Sequence, residues 1–403
     1  MPAVSAQNLQ YVGETQTSGS MTEIQIAGNY IYAANYGLQV FDVSDPSSPF
    51  LVGDYDSLNY CPGIFVQDNY AYVSAGLAGL QILNVQDPER PYFESYYNPP
   101  GVDIDYDVYV KGSYAYLADD GGGLQIVNIN DPSNPYLSGQ LKPLGIVSNI
   151  FLQGNYAYLV DYINDSLLVI NISNPENPIY SGSCSTFESP YTVVISGSYA
   201  FIGTQYYLQI FDIGDPSHPE EVSNCTLPQP ATGIAIADNY VFAAVLYSGI
   251  RVIDIADINN PAIIAGYQTR LHAIDVIING DMVYVSEYNP FPDSSSSILL
   301  VLRFDPTSIN NDSPMPKDFS LSPNYPNPFN ASTSISYSLA KSGSVNLSIY
   351  NLLGQKVAIL SDGIQQAGKH SVIWNAKDCP SGVYFAKLEA EEQTKNIKMV
   401  LLK

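Results

Sequence analysis

Basic side chains are scarce in this chain: 15 Lys and Arg stand against 39 Asp and Glu in 403 residues, a formal net charge of −24. A surface that acidic repels phosphate backbones, which argues against nucleic acid as a partner. Four cysteines in so long a chain make neither a disulfide scaffold nor a metal framework. No apolar run approaches the roughly 18 residues that a membrane-spanning helix needs. Catalytic signatures are also missing: there is no GxSxG elbow, HExxH pair, phosphate loop or dinucleotide fingerprint. The three histidines are scattered. His218 falls in an Asp-Pro turn, His370 in the tail, and His272 three residues before Asp275, where a polar filler role is expected.

What the chain does have is a hydrophobic fraction of 46%, enough for a large core, together with 33 tyrosines and 28 prolines. These are unevenly placed. Residues 1–310 hold 6 basic and 32 acidic side chains and 29 of the tyrosines, whereas residues 311–403 hold 9 basic and 7 acidic side chains. Two regions of different chemistry therefore meet near residue 310.

The first region is a repeat. Gly28-Asn29-Tyr30-Ile31-Tyr32 returns at Asp68, Gly112, Gly154, Gly197, Asp238 and, with Met282 in place of tyrosine, at Gly280, spaced by 40–44 residues. Downstream in each copy comes a string such as Gly37-Leu38-Gln39-Val40-Phe41-Asp42, closed by Asp45-Pro46. Alternating β-branched and aromatic residues between Gly, Asn, Asp and Pro read as strands joined by tight turns. Each period holds four, for example Ile24–Ala27, the Tyr-Ile-Tyr strand, the Leu-Gln-Val strand and Phe50–Tyr55. Four strands in about 42 residues, seven times over, is the arithmetic of a β-propeller. The seventh copy supplies only three strands, and the orphan segment 9–14 matches the missing fourth, so the amino terminus is expected to complete the last blade and remove its open edge.

GNYAYLV and GLQIFDVSDPSSP strings of this kind resemble the LVIVD repeat, a bacterial β-propeller family of secreted and surface proteins. The likeness covers roughly residues 9–305 and weakens in the seventh copy, where an insertion (Glu287–Ser297) precedes the third strand.

Residues 309–318 have the composition of a linker. Beyond them, short alternating stretches at Ser334–Leu339, Val345–Tyr350, His370–Trp374 and Val383–Leu388 predict a small Ig-like β-sandwich. The expected organisation is all-β: a seven-bladed β-propeller over 1–308, the linker, and a sandwich over 319–403. The tail's motifs are Tyr325, Pro326, Asn327, Pro328, Phe329 and Asn330, then Gly354 in NLLGQKV, Trp374, and Gly382 with Tyr384 in SGVYFAKL. In this order they resemble the carboxy-terminal sorting domain of the type IX secretion system and its relative, the Ig-like module of flagellar hook-capping proteins. The basic-apolar ending Lys395–Lys403 fits such signals. The resemblance implies export across the outer membrane to the cell surface, with the type IX machinery as a partner. Met1–Gln7 lacks the charged start and apolar core of a signal peptide, while Val4-Ser5-Ala6 looks like the end of a cleavage site. The chain is therefore expected to begin near a mature start.

The acidic surplus sorts by repeat register. Asp42, Asp45, Asp87, Asp131, Asp212, Asp215, Asp254, Asp257 and Asp305 belong to the repeated turns, where Asp bonds its own backbone. Asp68, Asp238 and Asp281 sit in first hairpins. Fourteen others, among them Glu23, Asp103, Asp105, Asp107, Asp119, Asp120, Asp161, Asp275, Glu287 and Asp293, map to loops on one side of the disc. The same loops carry Tyr36, Tyr60, Tyr106, Tyr162, Tyr191, Tyr206, Tyr207 and Tyr247. An acidic, tyrosine-rich face suits an extracellular glycan or a basic surface protein. The plainer alternative is that the acids keep the protein soluble and the tyrosines cap blade ends. The residue before each first-strand core pair is expected at the channel mouth: Glu23, Gly63, Asp107, Asn149, Thr192, Gly233 and Asp275. The binding candidates are Glu23, Asp107, Asn149, Asp275, Asp119, Asp120, Tyr36, Tyr106, Tyr191 and Tyr207. Glu23, Asp107 and Asp275 could hold a Ca²⁺ ion, the one cofactor considered, or serve as an acid/base set in a glycan-cleaving hydrolase or lyase. Three functions thus stand open: a monomeric binding or adhesion propeller, a glycan-cleaving enzyme, and a structural spacer of a surface layer.

Overall fold

The structure is a computed structural model that describes residues 8–306 and 319–402, apart from 59, 99–104, 143–144, 290–295, 322–323, 325–326, 340–342, 366–367, 378 and 391–392. The expected linker at 309–318, the amino-terminal Met1–Gln7, Asp103 and Asp293 lie outside the described residues, as does the side chain of Asp105. Two compact units are present, Ser5–Pro306 and Thr307–Lys403.

The first unit contains seven four-stranded antiparallel sheets. The inner strands of blades one to seven are Ile24–Ala27, Gly63–Gln67, Asp105–Lys111, Val147–Gln153, Pro190–Ser196, Gly233–Ala237 and His272–Asn279. Each packs against the next, and the seventh returns to the first. The outer strand of blade seven is Leu9–Ser18, longer than the expected 9–14, and it pairs with Ser296–Phe304 from Leu9↔Phe304 to Ser18↔Ser296. Leu9 is buried.

Hydrophobic cores lie between blades, not within them. One joins Tyr116, Leu124 and Ile126 of blade three to Val147, Ile150 and Leu159 of blade four. Another joins Ile24, Ile31 and Phe41 of blade one to Tyr284, Leu299 and Val301 of blade seven. A sheet that buries both faces this way needs a neighbour on each side, which is why the strands carry apolar residues at nearly every position of the second and third rows.

Two local devices repeat around the ring. The Asp turns fold as expected: Asp42 Oδ1 accepts from Ser44 N at 2.8 Å and Asp45 Oδ1 from Ser47 N at 3.0 Å, with the same pair at Asp212 and Asp215. The second device was not foreseen. Every outer strand has a β-bulge against the third strand at the same place, as between Val40 and Phe41 in blade one. There the chain meets the Asp-Pro turn of the next blade. A Cβ on Gly13 would stand 2.6 Å from Pro46 O, and Gly53 and Gly139 press on Pro88 O and Pro175 O in the same way. Where the position is serine, its hydroxyl donates instead: Ser95 Oγ to Pro132 O at 2.5 Å and Ser223 Oγ to Ile258 O at 2.5 Å. Bulge and small residue together let one blade's edge seat on the next blade's turn.

The second unit pairs a three-stranded sheet (Ser320–Leu321, Ser332–Leu339, Gly368–Asn375) with a four-stranded one (Lys356–Gln365, Gly343–Asn351, Gly382–Ala390, Gln393–Leu401). Three of these strands, the short Ser320–Leu321 together with Lys356–Gln365 and Gln393–Leu401, go beyond the four expected; the basic-apolar ending is itself an edge strand. Trp374 anchors the core, with ring centroids 5.5 Å from Phe329 and 5.0 Å from Tyr384. Tyr384 Oη donates to Pro380 O at 2.7 Å. Asn327 Oδ1 accepts from Val400 N at 3.0 Å, and Phe329 N donates to Val400 O at 2.9 Å, so this motif clamps the final strand. Gly354 turns the Gly343–Gln365 hairpin at φ 76° and Gly382 opens a strand, while Pro328 and Asn330 are exposed beside Phe329. Tyr325 and Pro326 lie outside the described residues.

The close approach of blade edge to turn makes a direct prediction. Gly53→Val puts a branched side chain against Pro88 O and should cost about 1–3 kcal/mol, the usual penalty for overpacking. A propeller melting transition unchanged by this substitution would contradict the seating described above.

Candidate functional site

The loops entering the inner strands and those joining second to third strands emerge at one end of the antiparallel blades. At that end the expected positions form a ring of hydrogen bonds across blade boundaries. Glu23 Oε2 of blade one accepts from Ile64 N of blade two at 2.7 Å. Asp107 Oδ2 of blade three accepts from Ile150 N of blade four at 2.9 Å, and also from Asn149 Nδ2 at 2.7 Å. Asn149 Oδ1 accepts from Val193 N of blade five at 2.8 Å. Asp275 Oδ2 of blade seven accepts from Ile24 N of blade one at 2.9 Å.

Blades two and six have glycine at this position and no side chain to reach forward. The amides they would serve are taken instead by the next blade's own carboxylate: Val108 N donates to Asp107 Oδ1 at 2.7 Å and Val276 N to Asp275 Oδ1 at 2.8 Å. Glycine is also required there, since a Cβ on Gly63 would lie 2.9 Å from Asp107 Cα and one on Gly233 would strike Asp275 Oδ1. Thr192 of blade five, also buried, holds the remaining position.

Burial pushes Asp107 up to about 7, against the amide bonds from Ile150 and Val108 that favour its charged form. Asp275 is pushed to about 7 by the same cause. Glu23 is raised well above the ordinary range, first by burial and then by the charges of Asp107 and Asp275. The three carboxyls sense one another, yet among the described residues no group of three or more His, Cys, Asp or Glu is arranged to hold a metal ion.

This ring separates two cavities. Below it runs a channel of about 390 Å³, whose wall includes Phe65, Tyr109 and Phe151 on one side and Val194 and Ala235 on the other. Tyr109 lies between Phe65 and Phe151, tilted on the first and edge-on to the second, with ring centroids at 4.6 and 5.3 Å. Above the ring a mouth of about 180 Å³ is lined by Tyr60, Tyr106, Tyr191, Ser148 and Thr232 together with the ring itself. Tyr36, Tyr60, Tyr162, Tyr206 and Tyr247 are exposed on this face. Tyr162 meets Tyr191 edge-on at 5.6 Å. Tyr36 lines a further pocket of about 190 Å³ with Asp54, Tyr55 and Asp56.

Some candidates fall away. Asp119 is fully buried, and its carboxylate accepts from Gly122 N and Gln125 Nε2, so it holds its own loop. Asp161 does the same for Ile163 N and Asn164 N, and Glu287 for Leu271 N. Tyr207 is half-buried against Phe187 at 5.5 Å. Asp120 is half-buried and raises Tyr106 after burial does. His272 is buried against the Tyr247 ring, and burial lowers its pKa, which fits the filler role. The side chain of His370 lies outside the described residues. None of the four cysteines is in a disulfide, and burial pushes Cys61 and Cys184 up to about 12. The exposed Leu77, Ile163 and Phe187 add apolar area to the same face; a search for tyrosine alone passes over them.

A ring of seven four-stranded sheets followed by a small sandwich defines a repeat-built β-propeller with an accessory module. The chain belongs to the LVIVD repeat family, whose model matches residues 18–57, 60–98, 106–142, 144–186, 191–227 and 230–269. Blade seven, the most divergent copy, is a sheet in the structure but falls outside those matches. Residues 324–402 match the secretion system C-terminal sorting domain, so the protein is exported by type IX secretion, to the cell surface or beyond it. Among solved structures the chain is similar to the computationally designed Ika8 protein (TM-score 0.52, 9% identity, 72% of this chain and 99% of that one). It is also similar to PorZ, a surface component of the type IX secretion system of Porphyromonas gingivalis (TM-score 0.51, 12% identity, 96% of this chain and 60% of that one). A third is a functionally unknown protein from Desulfotomaculum acetoxidans (TM-score 0.51, 16% identity, 61% and 90%). These likenesses are of fold. No curated protein matches the chain.

The ring carries a pH signature. Folded-state values near 7 at Asp107 and Asp275 exceed the ordinary unfolded value of about 4, so the folded state binds protons more tightly. This contribution is fully present below about pH 4 and is lost as pH rises through about 7. Glu23→Gln keeps an acceptor for Ile64 N while removing one charge. It should raise the propeller's Tm at pH 8 by on the order of 2–4 °C and leave it unchanged near pH 4. Equal shifts at both pH values in calorimetry would show that charge at the ring is not the cause.

Proposed function

We propose that the propeller is a surface-exported binding module that takes an extracellular glycan at the tyrosine-rich channel mouth. The observation that supports this most directly is a mouth lined by Tyr60, Tyr106 and Tyr191 over polar side chains, with Tyr36, Tyr162, Tyr206, Tyr247 and Phe187 exposed in the loops of the same face. Tyrosine supplies flat apolar area and a hydroxyl at low entropic cost, which suits the alternating faces and edges of sugar rings. Among the carboxylates left on this face, Asp54 and Asp56 beside Tyr36 offer acceptors for sugar hydroxyls. A surface protein is the competing ligand, and a spacer needs none.

The raised values of Asp107 and Asp275 favour a second reading, a glycan-cleaving enzyme that draws its general acid from the ring. Against it stands the use of both carboxylates as acceptors of backbone amides.

A glycan-array screen of the full chain, run with Ca²⁺ and again with a chelator, tests the first reading. Binding to one sugar class should fall at least tenfold in Tyr162→Ala/Tyr206→Ala, in line with truncation of aromatic anchors. Chelator sensitivity would bring Ca²⁺ into the site. Cleavage of the bound sugar, in place of binding alone, would move the assignment to the enzyme. No binding in either buffer would leave the protein ligand or the spacer.

A further inference from the structure

The sorting domain buries its apolar side chains in one core: Ile335, Tyr337, Leu347, Ile349, Trp374, Leu388 and Leu401 are all closed to solvent. The hairpin Gly343–Asn351/Lys356–Gln365 breaks that pattern. Leu352 and Leu353 at its tip are 68% and 83% exposed, and Val357 and Ile359 project from the strand that follows. That strand is an edge, paired only to Gly343–Asn351.

The tip is ordered in spite of its exposure. Asn351 Oδ1 accepts from Leu353 N and Gln355 N, each at 3.0 Å, Asn351 Nδ2 donates to Gln355 Oε1 at 2.8 Å, and Gly354 N donates to Asn351 O at 3.0 Å. Two leucines are therefore held out into water by a turn whose polar groups are satisfied. From Gly343 to Ser361 the only charged side chain is Lys356, and its ammonium sits over the Tyr350 ring at 5.9 Å. An exposed apolar patch of this kind on a small domain marks an interaction site, and the outer edge of the strand beside it can add to a partner's sheet.

We infer that this hairpin is the surface by which the export machinery reads the sorting domain. The occupant is a protein component of that machinery presenting an apolar groove with an acidic rim: the groove takes Leu352 and Leu353, and the rim pairs with Lys356. A domain matched as a sorting signal has to be read by a protein, and among its described residues this hairpin gathers the large exposed apolar side chains, with Leu402 the one elsewhere. The inference rests on the sorting role and is independent of what the propeller binds.

The test uses the full chain expressed in a host that has type IX secretion. Leu352→Ser/Leu353→Ser should lower surface display at least tenfold, with folded protein retained inside the cell and both melting transitions unchanged. Val357→Ser/Ile359→Ser, on the same face, should weaken display in the same direction. Tyr180→Ser on an exposed outer strand of the propeller serves as the surface control and should be displayed normally. Display of the leucine variant within twofold of the wild type overturns the inference. So does a display defect that comes with a lowered melting transition of the tail, since misfolding would then explain it.

Discussion

Everything in the propeller depends on the contact between one blade and the next. A single four-stranded sheet here has apolar residues on both faces and no core of its own; its stability is the burial of those faces against two neighbours. That is why blade seven matters beyond its own share. Its outer strand comes from Leu9–Ser18, its second and third strands touch blade one through the core of Ile24, Tyr284 and Leu299, and its inner strand does so through Asp275. Removing that contact would expose two sheet faces at once and leave the chain an open stack.

The same contact carries the bulk of the core, so the loops at the mouth contribute only a few buried residues to it, Met21, Cys61 and Leu227 among them, and their exposed tips carry none. Loops on a rigid scaffold can vary in length and composition with little effect on the frame. Tyrosines gather in those loops, where they meet one another and the solvent. The propeller is acidic where the sorting domain is nearly neutral, a difference in keeping with two modules of separate chemistry, the second of which matches an export signal.

Much of this was legible in the chain. The 42-residue period, the strands Ile24–Ala27 and Phe50–Tyr55, the Asp turns and the amino-terminal strand all follow from local pattern, because turn chemistry and alternation are local. Asp119 was not legible: its loop position is that of a surface acid, and only the fold brings Gly122 N and Gln125 Nε2 onto it. The outer-strand bulge was hidden for a similar reason. Gly13, Gly53 and Gly139 read as weak points in strands until the next blade's proline carbonyl is seen against them. In the tail, Lys356–Gln365 escaped notice because the exposed leucines and a poor alternation mask an edge strand, whose outer side has no partner to impose a pattern.

The channel-mouth carboxylates show how register and chemistry meet. Each inner strand presents an amide that needs an acceptor from the blade before it. Glu23 and Asn149 each serve one such amide. Asp107 and Asp275 each serve two, one forward to Ile150 or Ile24 and one of their own, Val108 or Val276. They stand directly after the blades with glycine, Gly63 and Gly233, which leave their share undone. An amide side chain has only one acceptor oxygen, so asparagine could not replace either aspartate without setting an NH₂ against an N–H. Two carboxylates are thus required by hydrogen-bond count before any ligand is considered, and burial then raises their pKa. A raised value at this ring is a consequence of architecture, and for either aspartate to act as an acid it would have to release a backbone amide that holds two blades together.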